Sequence, residues 1–154
     1  MSEIQYDILP LILRVESVQT PSLKNGGVRI CVTGGRDYKE TQLTRERLTR
    51  LNFLETIREI GVGCASGLDS DVLKWAEDND ISYRRYVADW DTIGLSAGCL
   101  RNGVMLEDFQ PDKLLVFPGG VGTTDCARKA RKMGIHRDFY DDDTDVFLAA
   151  KKWG

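Results

Sequence analysis

The stretch that most constrains this chain runs from Leu114 to Gly134, LLVFPGGVGTTDCARKARKMG, because it reads as a buried strand, a glycine turn and a helix start in direct succession. Leu114, Leu115, Val116 and Phe117 form the all-apolar run that a parallel strand covered on both faces requires, and Pro118 ends it. Gly119, Gly120 and Gly122 let the backbone approach a ligand closely. Thr123 and Thr124 are placed to cap a helix whose free amides and positive dipole end attract an anion. The helix carries Cys126, Ala127, Ala130 and Met133 on one face and Arg128, Lys129, Arg131 and Lys132 on the other, and Gly134 stops it. A strand-to-helix turn that binds nothing has the same local pattern, so the remaining segments decide its meaning.

Three of them repeat the arrangement. In VRICVTGGRDY, Val28 to Val32 reads as a strand, with Thr33, Gly34, Gly35, Arg36 and Asp37 at its carboxyl end, where open α/β sheets hold their ligands. In GVGCASGLDSDVLKWAED, glycines 61, 63 and 67 precede Asp69, and Leu68, Val72, Trp75 and Ala76 share a helical face. Asp69 suits either a ligand contact or simple stabilisation of the helix's first turn. In YVADWDTIGLSAGCLRNGVMLEDF, Tyr83 to Val87 reads as a strand, followed by a polar loop with Asp89, Trp90 and Asp91. A helix begins at about Ser96, with Ala97, Leu100 and Val104 as its buried stripe and Arg101 beside it, near the inner edge. Strand, polar loop and helix in repetition imply an α/β fold: three layers around a mostly parallel sheet.

These four motifs follow, in order from Val28 to about Ile135, the pattern of the YspA-type branch of the SLOG superfamily, which the chain resembles. The resemblance implies a single Rossmann-like domain over residues 28–154, behind an N-terminal extension over residues 1–27. It also implies a nucleotide or nucleotide-derived ligand, since the superfamily includes the Lonely Guy phosphoribohydrolases and the DNA-processing protein DprA. On that basis the phosphate contacts fall to Gly119, Gly120, Gly122, Thr123 and Thr124. Gly34, Gly35 and Arg36 form an adjacent wall, and Asp69, Asp89, Arg101 and Asn102 complete the site.

Two departures from the family bear on chemistry. The phosphoribohydrolase motif looks like PGGxGTxxE, and its glutamate helps cleave an N-glycosidic bond; here that position is Cys126. Asp125 lies one residue earlier, a step of about 100° on a helix, so it does not simply substitute. Those enzymes pair an arginine with a following lysine, and Arg101 with Asn102 is the similar dipeptide here. Ser66 also stands where the branch usually carries a basic residue. A sequestering or sensing protein therefore leads over a phosphoribohydrolase, in which Arg101 would polarise the phosphoribosyl group and Asp125 or Asp89 would serve as acid/base. An adaptor that keeps the fold without a ligand is the third class, and fold alone does not choose among them.

Composition narrows the partners. With 154 residues, 42% hydrophobic and 29% charged, the chain suits one compact core, and a net charge of −3 argues against specific nucleic-acid binding. Cys31, Cys64, Cys99 and Cys126 form no CxxC pair, and His136 is the lone histidine, expected in a solvated loop. The sequence thus supports neither a metal site nor a cofactor, and its cysteines read as reduced thiols of a cytoplasmic protein. The acidic run Asp141, Asp142, Asp143 and Asp145 reads most simply as a loop with an N-cap at Thr144. The apolar run from Ile8 to Val15 is too short for a membrane span and suits an added strand, leading through a linker from Pro21 to Gly27. By analogy with the Lonely Guy dimers, a homo-oligomer is expected.

Overall fold

A computed structural model of the chain describes residues 2–9, 13–20, 26–39, 41–63, 67–88 and 97–140. Seven strands form one sheet in the order β1-β2-β5-β4-β3-β6-β7. They are β1 (Ser2–Leu9), β2 (Leu13–Gln19), β3 (Val28–Thr33), β4 (Ile57–Val62), β5 (Ser82–Ala88), β6 (Lys113–Val116) and β7 (His136–Phe139). From β5 to β7 every neighbouring pair is parallel, whereas β2 runs antiparallel to both β5 and β1. The helices are α1 (Thr41–Glu55), α2 (Leu68–Asp78), α3 (Ala97–Phe109) and α4 (Val121–Lys132).

Alternation along the central strands builds two cores. Ile30, Val32, Ile60 and Leu115 face α1 and α2, packing with Leu48, Leu51, Leu68, Val72 and Trp75. Cys31, Leu114 and Val116 face the opposite way, against Met105, Leu106 and Phe109 of α3 and Cys126, Ala127 and Ala130 of α4. Because both faces are covered, Leu114, Leu115 and Val116 of β6 have to be apolar, as the sequence suggested, while Lys113 opens the strand. This is the three-layer, mostly parallel, Rossmann-like α/β fold.

Several elements depart from the sequence reading. The N-terminal apolar run folds back, so the extension supplies two strands rather than one. His136 lies at the start of β7, not in a loop, with its ring 2.8 Å from Asp138. Met133 is 43% exposed, because α4 ends before it and the chain turns toward β7. In α3 the buried face is Ala97, Gly98, Arg101, Asn102, Met105, Leu106 and Phe109, with Val104 partly buried against it, so of the expected stripe only Leu100, 45% exposed, points outward. Arg101 and Asn102 thus sit in the inward stripe itself.

Away from the carboxyl edge, a charged cluster ties four elements together. Glu59 of β4 accepts from Arg29 of β3 and, at 3.1 Å, from Arg84 of β5. Arg29 also donates to the Phe109 carbonyl at the end of α3 at 2.6 Å and stacks over the Phe109 ring. Removing one member of a shielded ion cluster leaves the others desolvated and unpaired. We expect Glu59→Ala to cost about 3 kcal/mol, the low end for a buried pair because both arginines retain some water. Asp78→Ala, which removes the exposed Arg45–Asp78 pair, should cost less than about 1 kcal/mol. Urea unfolding followed by circular dichroism compares the two, and equal costs would refute the cluster's role.

Candidate functional site

Strand order reverses between β3 and β6, since β3, β4 and β5 run outward one way and β6 and β7 the other. At such a switch point the connections diverge and leave a crevice beyond the strand ends. Here the loops after β3 and β6 nevertheless touch. The Gly35 amide donates to the Pro118 carbonyl at 2.9 Å, and a Cβ at Gly35 would lie 3.2 Å from the Gly119 Cα. A Cβ at Gly119 would come within 2.0 Å of the Thr123 hydroxyl. Neither position tolerates a side chain without moving its neighbour.

Above this contact opens a cleft of about 730 Å³. Gly34, Gly35 and Arg36 line one side, and Gly119, Gly120, Gly122 and Thr123 another. Asp69 at the start of α2 and Arg101 and Asn102 of α3 close it, all three nearly buried. Ten residues singled out from separate stretches of sequence therefore meet in one cavity. Thr124 does not join them, because its hydroxyl turns back to the Gly120 carbonyl at 3.2 Å. Nor does either threonine cap the helix: α4 begins at Val121 with Gly120 as its cap, so Thr123 and Thr124 lie within the first turn. Asp125 is also off the lining, and Asp89 falls outside the described residues, as do Ser66, Cys64 and the acidic run.

The structure adds lining residues that the sequence reading missed. Gly63, after β4, brings no Cβ to the space occupied by the Arg101 guanidinium; one there would lie 2.6 Å from its central carbon. Gly98, Cys99 and Met105 enter because α3 is rotated from the expected phase. Tyr38, Asp37 and Val121 complete the rim, and the position of each beside a recognised motif was the available signal.

Charge in the cleft comes from two directions. The amides of Val121, Gly122 and Thr123 precede the first carbonyl that their own helix offers, so the α4 N-terminus presents donors and a positive dipole end. Arg101 supplies a full charge, and its Nε donates to Asn102 Oδ1 at 3.2 Å. Asn102 Nδ2 donates to the Gly122 carbonyl at 3.0 Å and to Asp125 Oδ2 at 3.1 Å, and Lys129 Nζ reaches the same carboxylate oxygen at 2.9 Å. Asp69 contributes a carboxylate on the opposite wall. Among the described residues no group of three or more His, Cys, Asp or Glu side chains is placed to hold a metal ion.

Cys126 lies fully buried beneath the site. Burial pushes its thiol up to about 12, against smaller opposing effects from a hydrogen bond with Thr33 and from the Arg101 charge. Relative to an ordinary value of 9.0, that leaves about a thousandfold less thiolate at pH 8. Iodoacetamide at pH 8 should therefore modify Cys99, which lines the cleft, and leave Cys126 intact until the protein is unfolded. Peptide mapping by mass spectrometry checks this, and rapid alkylation of Cys126 in the folded protein would contradict it. The sign for stability is also set: a thiol whose folded value is raised favours the folded state below pH 9, and that contribution fades as pH rises toward 12.

No helix among the described residues is long and apolar enough to cross a membrane. No curated protein sequence matches the chain. Among solved structures the fold is similar to a UDP-GlcNAc 2-epimerase from Neisseria meningitidis bound to UDP-GlcNAc, at 16% identity and a TM-score of 0.46. That alignment covers 81% of this chain, which spans about a third (35%) of the epimerase. Residues 28–92, which include β3 through β5, match the model of the YspA, cpYpsA-related SLOG family. Over those residues, and in the order of its glycine motifs around one cleft, the chain is similar to the YspA, cpYpsA-related SLOG family.

Proposed function

We propose that the cleft binds a phosphorylated nucleotide or nucleotide-derived small molecule, and that the protein senses or sequesters this ligand without consuming it. The phosphate lies against the α4 N-terminus at Gly120, Gly122 and Thr123, opposite the Arg101 guanidinium, with Gly34, Gly35 and Arg36 as the neighbouring wall. Asp69 faces it from α2.

One observation carries this reading. Gly35 and Gly119 are explained by the fold, because a Cβ at either would strike the other loop. Gly120 and Gly122 are not: neither has a positive φ, and a Cβ at either would meet nothing within 4 Å. Gly122 lies in the first turn of α4, where glycine costs up to about 1 kcal/mol relative to alanine, while Gly120 sits at the cap. Two glycines that the fold does not require, beside unpaired helix amides, keep open a space that a phosphate needs.

Binding without turnover follows from the carboxylates. The residue at the position of the phosphoribohydrolase glutamate is Cys126, buried and neutral. The neighbouring Asp125 is engaged by Asn102 and Lys129 instead of facing the cleft. A general acid/base typically contributes about 10²–10⁴-fold, so its loss leaves little hydrolysis.

Two variants of one residue test the site. Gly122→Ala should raise the melting temperature by roughly 1–4 °C while weakening binding, since it lowers the backbone entropy lost on folding and fills the phosphate space. Gly122→Asp should fold and abolish binding. Native mass spectrometry of the purified protein identifies a retained ligand, and calorimetry with that ligand compares the variants. Unchanged affinity in folded Gly122→Asp removes the phosphate from this loop. Release of free base from nucleoside monophosphates at several turnovers per second by wild type, lost in Arg101→Ala, makes the protein a phosphoribohydrolase instead.

A further inference from the structure

Asn102 lines the cleft and is only 2% exposed, yet its amide is spent inside the protein. The groups facing its Nδ2, the Gly122 carbonyl and the Asp125 carboxylate, are both pure acceptors. The group facing its Oδ1 is the Arg101 Nε–H, a pure donor. Only one orientation of the carboxamide satisfies all three neighbours, and in it both amide hydrogens are committed. Asp125 is fixed in turn by Lys129, whose Nζ also donates to the Cys99 carbonyl of α3 at 2.5 Å. The ties form a closed circuit between the helices: Arg101, Asn102 and the Cys99 carbonyl on α3, and the Gly122 carbonyl, Asp125 and Lys129 on α4.

This circuit matters because the two positive elements of the cleft belong to different helices. The guanidinium is carried by α3 and the free amides by the first turn of α4. Asn102 touches both, through Arg101 Nε and through the carbonyl of Gly122 in that same first turn. Holding binding groups at a fixed separation before the ligand arrives avoids paying for their ordering at the moment of binding.

We propose that Asn102 is a positioning residue that sets Arg101 against the first turn of α4, and that Asp125 and Lys129 belong to this same device, orienting the Asn102 amide from behind the cleft. Asn102 thus acts on the ligand through Arg101 and not by touching it. The proposal rests on the anion-site reading only for its binding consequence; the orientation of Arg101 is a property of the free protein.

The experiment accordingly has two arms. In the free protein, nitrogen NMR follows exchange of the Arg101 Nε hydrogen with water, the resonance being identified by its loss in Arg101→Lys. Asn102→Ala should speed that exchange by about tenfold or more, and Lys129→Met by a smaller factor that Lys129→Arg restores. Lys129 is partly exposed at the outer end of the circuit, so Lys129→Met supplies the measurement if Asn102→Ala does not fold. Unchanged exchange in a folded Asn102→Ala variant, or in Lys129→Met where Asn102→Ala does not fold, overturns the proposal. In the second arm, calorimetry with adenosine 5′-monophosphate compares Arg101→Ala, Asn102→Ala and the double variant. Asn102→Ala should weaken binding about tenfold in the wild-type background and less than about twofold when Arg101 is already alanine. Independent, additive losses would mean that Asn102 contacts the ligand itself, against the proposal. Should wild type bind neither adenosine 5′-monophosphate nor inorganic phosphate, the anion-site reading fails while the exchange arm still decides the positioning role.

Discussion

The carboxyl edge of this sheet depends on a backbone-to-backbone contact at the point where strand order reverses. The Gly35 amide meets the Pro118 carbonyl, and the Phe117 amide continues the β3–β6 ladder to the Thr33 carbonyl at 2.9 Å. Side chains at Gly35 or Gly119 would wedge the two loops apart. With the loops in contact, α4 starts directly over the end of β6, and its N-terminus faces the crevice instead of solvent. Gly34 extends the arrangement to α2, since a Cβ there would lie 2.2 Å from Leu68. A few absent methyl groups thereby fix the separation of the starts of α2 and α4, which border the cleft.

Much of this was legible because burial on both faces of a parallel sheet leaves a strong mark. β3, β5 and β6 fell where apolar or alternating runs met glycine or proline, and the inward face of α2 matched its 3.6-residue period through Leu68, Val72, Trp75 and Ala76. The site residues on glycine loops were legible for a related reason: each loop follows a strand at its carboxyl end.

The failures share a physical cause, which is that hydrophobicity stops marking the interior where polar groups satisfy one another. The phase of α3 was misjudged because Leu100 looks like part of a core stripe with Ala97 and Val104, whereas Leu100 is exposed and Arg101 and Asn102 are turned inward. Asn102 tolerates burial because its amide is engaged by Gly122 and Asp125, 20 and 23 positions away, and its carbonyl in turn accepts from Arg101. Nothing in a local window shows this. The same holds for Glu59, a charged residue whose partners Arg29 and Arg84 lie on neighbouring strands. Strand β7, with the sequence HRDF, has no apolar pattern and owes its existence to pairing with β6. The N-terminal pair of strands was half seen, because the apolar run from Ile8 to Val15 spans the end of β1 and the start of β2.

The position of Cys126 connects the fold to the question of turnover. On α4, residues 122 and 123 border the cleft, and 126 lies one turn deeper on the same side, against Thr33 and near Arg101. A longer acidic side chain at 126 would point toward the cleft near Arg101. A thiol there fills the volume with a neutral group that packs with Ala127 and Ala130. Asp125 does not compensate, because one residue of helix rotation carries it round to Lys129 and Asn102, where its charge orients other groups. The same helix thus presents its N-terminal end to the cleft and carries no acid/base group on its cleft side, an arrangement consistent with the proposed holding of a ligand without cleavage.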